Sequence, residues 1–229
     1  MKFSIWYNEQ PDFFDLLKQY KDNISTVYFA APSELIPSWR PILQDSDYEE
    51  QIKKLIITCN KYWIKTILTL NATTEWKNTW DKDHMLSIIS YIKKLREFWL
   101  TSVSLTNLLY VKFIKKAVVW IEVYSSVNCY VKTLEQAIYL KNLWIDILTI
   151  DRDINRNTAL IKQIKQKTWL KLQIMLNEWC VKNCPFRHTH FNIIANQVED
   201  NISNQKVWKY NLIERFSCTP LLAENKRII

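Results

Sequence analysis

Glycine is absent from this chain of 229 residues. At ordinary usage of about 7%, roughly sixteen would be expected. Taken at face value, the absence excludes every phosphate-binding loop that depends on glycine. Long apolar runs are also missing. None approaches the roughly 20 residues of a membrane-spanning helix. Acidic residues are outnumbered, 23 against 31 Lys and Arg, which gives a net charge of +8. That balance permits an anionic partner such as RNA, and it equally describes a solvated basic surface. No DNA-binding motif is present. Five cysteines, an odd number without disulfide-scaffold spacing, fit a reducing cytosol, so a cytoplasmic location is expected. The start, Met1-Lys2-Phe3-Ser4-Ile5, reads directly as strand, and no signal peptide is visible.

Against these absences stand eleven tryptophans. Trp63, Trp99, Trp120, Trp144 and Trp169 each lie between a helix-like and a strand-like segment. This is the helix C′ position, where the backbone turns left-handed and glycine is the usual residue. Trp76 and Trp80 lie in a polar loop, Thr73 to Asp83. The pattern predicts that these tryptophans are glycines rendered through a UGA codon, which some bacterial lineages read as glycine and common translation tables render as tryptophan. The alternative is a tryptophan-rich chain with stacking platforms.

Strand-like and helix-like segments alternate along the chain. Strands are expected at Phe3–Tyr7, Ser25–Ala31, Lys65–Leu70, Ser102–Leu108, Ile121–Ser125, Asp146–Ile150 and Leu172–Leu176, the last as a buried strand. Helices are expected at Pro11–Lys21, from about Asp47, and at His84–Phe98, Leu109–Val118, Leu134–Leu143 and Thr158–Lys167. Such alternation implies a parallel sheet with right-handed crossovers. The units are similar in size and carry no dinucleotide fingerprint even with each Trp read as Gly. The expected fold class is therefore α/β, a (β/α) TIM-like barrel with about seven of its eight strands. We expect a single domain, 1–229, in which 177–229 is a cysteine-containing cluster and loop segment. The frame is expected to be cut short before the last strand.

The strand ends are polar. Asn8, Asn71, Asn107, Ser125, Ser126, Asn128, Asp151, Arg152, Asn177 and Glu178 would converge on one mouth, the face where barrel enzymes work. Singly, such residues also serve as turn formers and helix caps. Chemistry is densest between Leu176 and Asn192. Cys180 and Cys184 are four apart, so both thiols can lie on one side of a turn. With His188 or His190 they can form a Cys2His2 zinc site; with Cys218 and a fourth ligand they can hold an iron–sulfur cluster. Equally, they can be buried or free thiols. Cys59 and Cys129 read as core residues. Arg187, His188 and His190 suit an anionic substrate, and Glu178 a proton acceptor. Asn177, Asn192, Ser125, Asn128 and Asp151 are candidate substrate contacts. No Ser–His–Asp order, His-Glu-x-x-His motif or P-loop appears.

With Trp179 read as glycine, the stretch runs Leu-Asn-Glu-Gly-Cys, three residues, Cys-Pro-Phe-Arg-His, then His-Phe-Asn. This resembles the signature of peptidase family U32, the collagenase-like proteases. Further matches are Ile121 to Asn128 and Asp146 to Arg156. The resemblance implies a barrel-like catalytic domain and one of two activities. One is hydrolytic, a peptidase without assigned catalytic residues. The other belongs to iron–sulfur members that take part in hydroxylation of RNA bases or the ubiquinone ring. It implies Cys180, Cys184 and Cys218 as ligands of a cluster, of the four-iron type, with RNA or a partner U32-type subunit as the associated macromolecule. A non-catalytic subunit that lends its cluster to a complex is a third role.

Overall fold

The computed structural model describes residues 2–32, 35–36, 47–73, 81–176 and 180–192. Seven strands alternate with helices in the order β1 (Phe3–Trp6), α1 (Phe13–Gln19), β2 (Ile24–Ala30), α2 (Tyr48–Lys61), β3 (Lys65–Leu70), α3 (Lys82–Arg96), β4 (Ser102–Leu105), α4 (Tyr110–Ala117), β5 (Glu122–Ser125), α5 (Leu134–Asn142), β6 (Ile147–Thr149), α6 (Thr158–Thr168) and β7 (Lys171–Gln173), and residues 187–192 are helical beyond them. Every neighbouring pair of strands is parallel, and the sheet order is the chain order, β1 to β7. This is the expected α/β class. Among the described residues no helix is long and apolar enough to cross a membrane.

Two apolar populations fix the curl of the sheet. Outward residues such as Val27, Leu68, Val103, Val123 and Leu148 join the helix faces in one large core. Helix α2 buries Tyr48, Ile52, Leu55, Ile56 and Cys59, and α3 buries Ile88, Ile89, Ile92 and Leu95; both sets repeat at helical spacing. The alternate strand positions face the other way. There Ile67, Tyr124 and Ile147 form a separate small cluster with Tyr28. This inner face is otherwise polar. Lys65 pairs with Glu122, the Tyr28 hydroxyl donates to Gln173 Oε1 (2.5 Å), and Gln173 Nε2 donates to Ser4 Oγ (3.2 Å). That last contact brings β7 beside β1, so the sheet rolls into a barrel-like wall.

Helix starts follow local chemistry. The Asp81 carboxylate accepts from the backbone N–H groups of Asp83 and His84 ahead of α3. Thr133 and Gln136 form a reciprocal capping box on α5, which satisfies N–H groups that have no partner within the helix. Helix ends show where the tryptophans stand. Trp63, Trp99, Trp120, Trp144 and Trp169 all have positive φ, between 59° and 76°. A left-handed backbone costs a residue bearing a Cβ about 1–2 kcal/mol.

Strand β7 departs from the sequence reading. Leu172–Leu176 was expected to be buried strand. Only Lys171–Gln173 pair with β6, and Leu172 is no better than half-buried. Ile174 and Leu176 are exposed. The physical reason is position: among the described residues β7 has a sheet neighbour on one side only, so its apolar run lacks the two-sided cover of a central parallel strand. Strand β4 also ends earlier than expected, at Leu105, because Asn107 accepts the Leu109 N–H and starts a turn.

Candidate functional site

Continuing the inward alternation of each strand defines the ring at its C-terminal mouth. After Lys65, Ile67 and Thr69 comes Asn71; after Ser102 and Ser104, Thr106; after Glu122 and Tyr124, Ser126; after Ile147 and Thr149, Asp151. Asn71, Ser126 and Asp151 are buried. Ser126 Oγ caps a short turn, Val127–Cys129, by accepting from the Asn128 N–H. That turn delivers Asn128, also buried, whose Nδ2 donates to the Asn71 carbonyl (3.4 Å).

Asp151 is the most enclosed polar group of the ring, with its side chain 0% exposed. Its Oδ1 accepts the Asp153 N–H (2.7 Å) and lies 3.7 Å from Arg187 Nη1 and 3.9 Å from Lys132 Nζ. Burial raises its pKa, and the Asp153 charge adds to that; the Asp153 N–H, Lys132 and Arg187 oppose it. Asp153 behaves in the opposite way. Burial would raise its pKa too, but Arg187, the Asn183 N–H and Lys132 all donate to it and hold it well below the usual carboxylate range. Arg187 donates through Nη1 (2.9 Å) and Nη2 (2.8 Å) to the two Asp153 oxygens, and through Nη2 to the Val181 carbonyl (2.8 Å). Both side chains are 4% exposed. This bidentate pair fastens the segment carrying the two thiols to the end of β6.

Cys180 and Cys184 are both half-buried. Arg152 Nη1 donates to Cys180 Sγ (3.6 Å), and the same guanidinium lies 5.1 Å from the centre of the Phe191 ring. Cys184 closes a turn by donating its N–H to the Val181 carbonyl (3.2 Å). His188 is exposed; its ring lies 5.9 Å from that of Tyr130, and Asn192 Nδ2 lies 3.2 Å from its Nδ1. His190 is half-buried, and burial lowers its pKa.

The structure thus gathers Asn128, Asp151, Cys180 and Arg187 around one mouth. Arg187, expected to face an anionic substrate, is committed to Asp153 and Asp151. Ser125, expected as a substrate contact, is fully buried, and its Oγ accepts the Thr149 N–H (3.0 Å). Cys59 and Cys129 sit in low-dielectric surroundings that push both thiols up to about 12, as core cysteines should be. Asn177, Glu178 and Cys218 lie outside the described residues. Among the described residues no three His, Cys, Asp or Glu side chains converge as metal ligands. Sequence reading missed Asp153, Lys132 and Tyr130. The Asp151-Arg152-Asp153 triplet after a strand was the available signal for Asp153; nothing local marked the other two.

No protein-family model matches the chain. It is similar to an uncharacterized protease of Methanocaldococcus jannaschii, 25% identical over 212 residues. That alignment covers 93% of this chain and 61% of the archaeal protein, so the chain spans less than two thirds of its relative's length. Among solved structures, a U32 peptidase superposes with a TM-score of 0.73 at 14% identity, covering 95% of this chain and 85% of the other. An O-GlcNAc hydrolase of Thermobaculum terrenum superposes with a TM-score of 0.57 at 10% identity, over 80% of this chain and 47% of the other. At these identities the two structures speak for the fold alone. In sequence the chain is similar to the archaeal protease, and in fold it is similar to the U32 peptidase.

Proposed function

We propose that this chain is the barrel of a U32-type enzyme that works at the C-terminal mouth, and that it takes part in modifying an RNA base or a similar aromatic substrate with the aid of an iron–sulfur cluster. One observation carries the reading: two half-buried cysteines, Cys180 and Cys184, on a segment pinned over the mouth by Arg187 and Asp153. The donor set fits a cluster in kind, since thiolates are its ligands, and Arg152 beside Cys180 favours the thiolate. In number the described residues supply two; Cys218 is proposed as the third. When bound, the cluster would supply electron transfer.

The chain's own groups do the rest. Arg187 and Asp153 fix the thiol-bearing segment. Asp151, whose burial makes its carboxylate a readier proton acceptor, takes or returns a proton at Oδ2. Glu178 remains a second proposed acceptor, and His188 and His190 remain proposed contacts to substrate. RNA or a second U32-type subunit is the proposed partner.

The test is anaerobic purification of the full reading frame, with iron and sulfide assayed against protein. Cluster-bearing protein is brown and loses iron on Cys184→Ala. Colourless protein without iron, unchanged by that substitution, defeats the reading. A peptidase is the second reading, favoured by the printed name of the archaeal relative. Cleavage of gelatin by iron-free protein, abolished by Asp151→Asn, would support it over the first.

A further inference from the structure

Four neighbouring strand ends each place a buried oxygen at the mouth that has no hydrogen-bond partner among the described residues. They are Asn71 Oδ1 after β3, Thr106 Oγ1 after β4, Asn128 Oδ1 after β5 and Asp151 Oδ2 after β6. Buried polar atoms are nearly always satisfied, and several orphans on one surface need a common explanation. Asn71 Oδ1 and Asn128 Oδ1 can only accept, as can Asp151 Oδ2 while ionised; Thr106 can do either. A ligand that answers them must present N–H or O–H donors.

Charge decides what kind of donor. Asp151 and Asp153 are already matched by Lys132 and Arg187, with Arg152 close by at Cys180. A metal cation or an ammonium would overcharge the site, whereas a neutral donor would not. Resting on the function proposed above, we infer that the ring formed by Asn71, Thr106, Asn128 and Asp151 binds the amino-bearing edge of a nucleobase. An exocyclic amino group offers two N–H donors in one plane, one for each of two acceptors on adjacent strand ends.

Calorimetric titration with cytidine, uridine and N-acetylglycinamide tests this without reference to iron content or turnover, so its failure is separable from failure of the cluster reading. Cytidine should bind about ten-fold tighter than uridine, which lacks the amino group. Asp151→Asn and the isosteric Thr106→Val should each weaken cytidine several-fold, with circular dichroism confirming the fold of each. Equal binding of the two nucleosides, or cytidine binding indifferent to both substitutions, overturns the proposal. Binding of N-acetylglycinamide in preference to cytidine overturns it in favour of a peptide amide.

A second inference rests on the backbone. At Trp63 and Ile64, at Trp99 and Leu100, and at Trp144 and Ile145, the same pair of hydrogen bonds recurs. The tryptophan N–H reaches the carbonyl three residues back, at Asn60, Arg96 and Lys141. The next N–H reaches the carbonyl five residues back, at Cys59, Leu95 and Leu140. This is the Schellman motif, whose left-handed residue is usually glycine and whose following residue is apolar. Ile64, Leu100 and Ile145 are indeed buried. Trp169 ends α6 with a single bond to the Lys165 carbonyl, and Trp120 has the same backbone sign. The five rings are 94%, 64%, 87%, 51% and 81% exposed for Trp63, Trp99, Trp120, Trp144 and Trp169. The largest apolar side chain thus sits repeatedly where the backbone favours none and where half or more of it is left in solvent.

The geometry points to glycine at these five positions in the protein as its source makes it, with tryptophan arising from a reassigned UGA codon. Reading the gene decides: TGA at the five codons, with peptide masses from source-made protein lacking the five indoles, is the expected result. TGG codons overturn it. Independently, Trp63→Gly and Trp99→Gly in the tryptophan-bearing chain should each raise the urea midpoint; a lowered midpoint at both counts against glycine.

Discussion

Arg187 grips both carboxylate oxygens of Asp153, at 2.9 and 2.8 Å, from 34 residues away in the chain. The pair is buried and bidentate, and Lys132 adds a third donor. Removing one member leaves the other charge uncompensated. Arg187→Ala should therefore lower unfolding free energy by about 3–5 kcal/mol. The double variant with Asp153→Ala should lose less than the sum of the single losses. Urea unfolding of the four proteins of that cycle measures the coupling; additive losses would show that the pair does not act as a unit.

Asp153 also sets an acid limit on stability. Its folded pKa lies below its unfolded value, near 3.9 for an ordinary aspartate. Its contribution is therefore complete above about pH 4 and disappears as pH falls towards the depressed folded value. Asp151 has the opposite sign, since its folded pKa is raised: its ionisation costs stability as pH rises through that value. Asp153→Asn should flatten the acid side of the stability curve, and Asp151→Asn should steepen it. Unfolding free energies between pH 3 and 7 test both slopes.

Thiol chemistry should divide the described cysteines in two. Cys180 and Cys184 are half-buried, with an arginine at Cys180. Cys59 is buried, and Cys129 is half-buried with its thiol donating to the Leu105 carbonyl (3.3 Å); their surroundings push both thiols up to about 12. Native protein treated with an aromatic disulfide at pH 8 should label Cys180 and Cys184 at once, and the other pair only on unfolding. Peptide mapping identifies the labelled sites, and early labelling of Cys59 would contradict its burial.

Ser125 distinguishes a wall residue from a substrate contact. Its Oγ accepts the Thr149 N–H within the wall of the barrel. Ser125→Ala leaves that N–H buried and unpaired, a loss of about 1–3 kcal/mol. Stability should fall while cytidine affinity is unchanged; the reverse pattern would place Ser125 in the binding surface.

Much of the architecture was legible because it rests on local periodicity. Ile52, Leu55, Ile56 and Cys59 repeat at helical spacing, and the strands are short apolar runs between turn residues. The left-handed positions of Trp63, Trp99 and Trp144 were readable from their place between helix and strand, since helix termination is a local backbone event. The extent of β7 was not readable. Whether Ile174 and Leu176 are covered depends on what lies beside them, which an apolar run does not encode.

The sequence by itself determined the alternation of elements, the parallel sheet and the density of thiol and polar groups between Leu176 and Asn192. Only the tertiary structure decided how that density is used. It turned Arg187 from an apparent anion contact into a clamp on Asp153, made Ser125 part of the wall, and left Asp151 Oδ2 buried without a partner among the described residues. The physical reason is that a guanidinium goes to whichever carboxylate the fold buries beside it. That choice is made across the barrel, by strands and turns far apart in the chain.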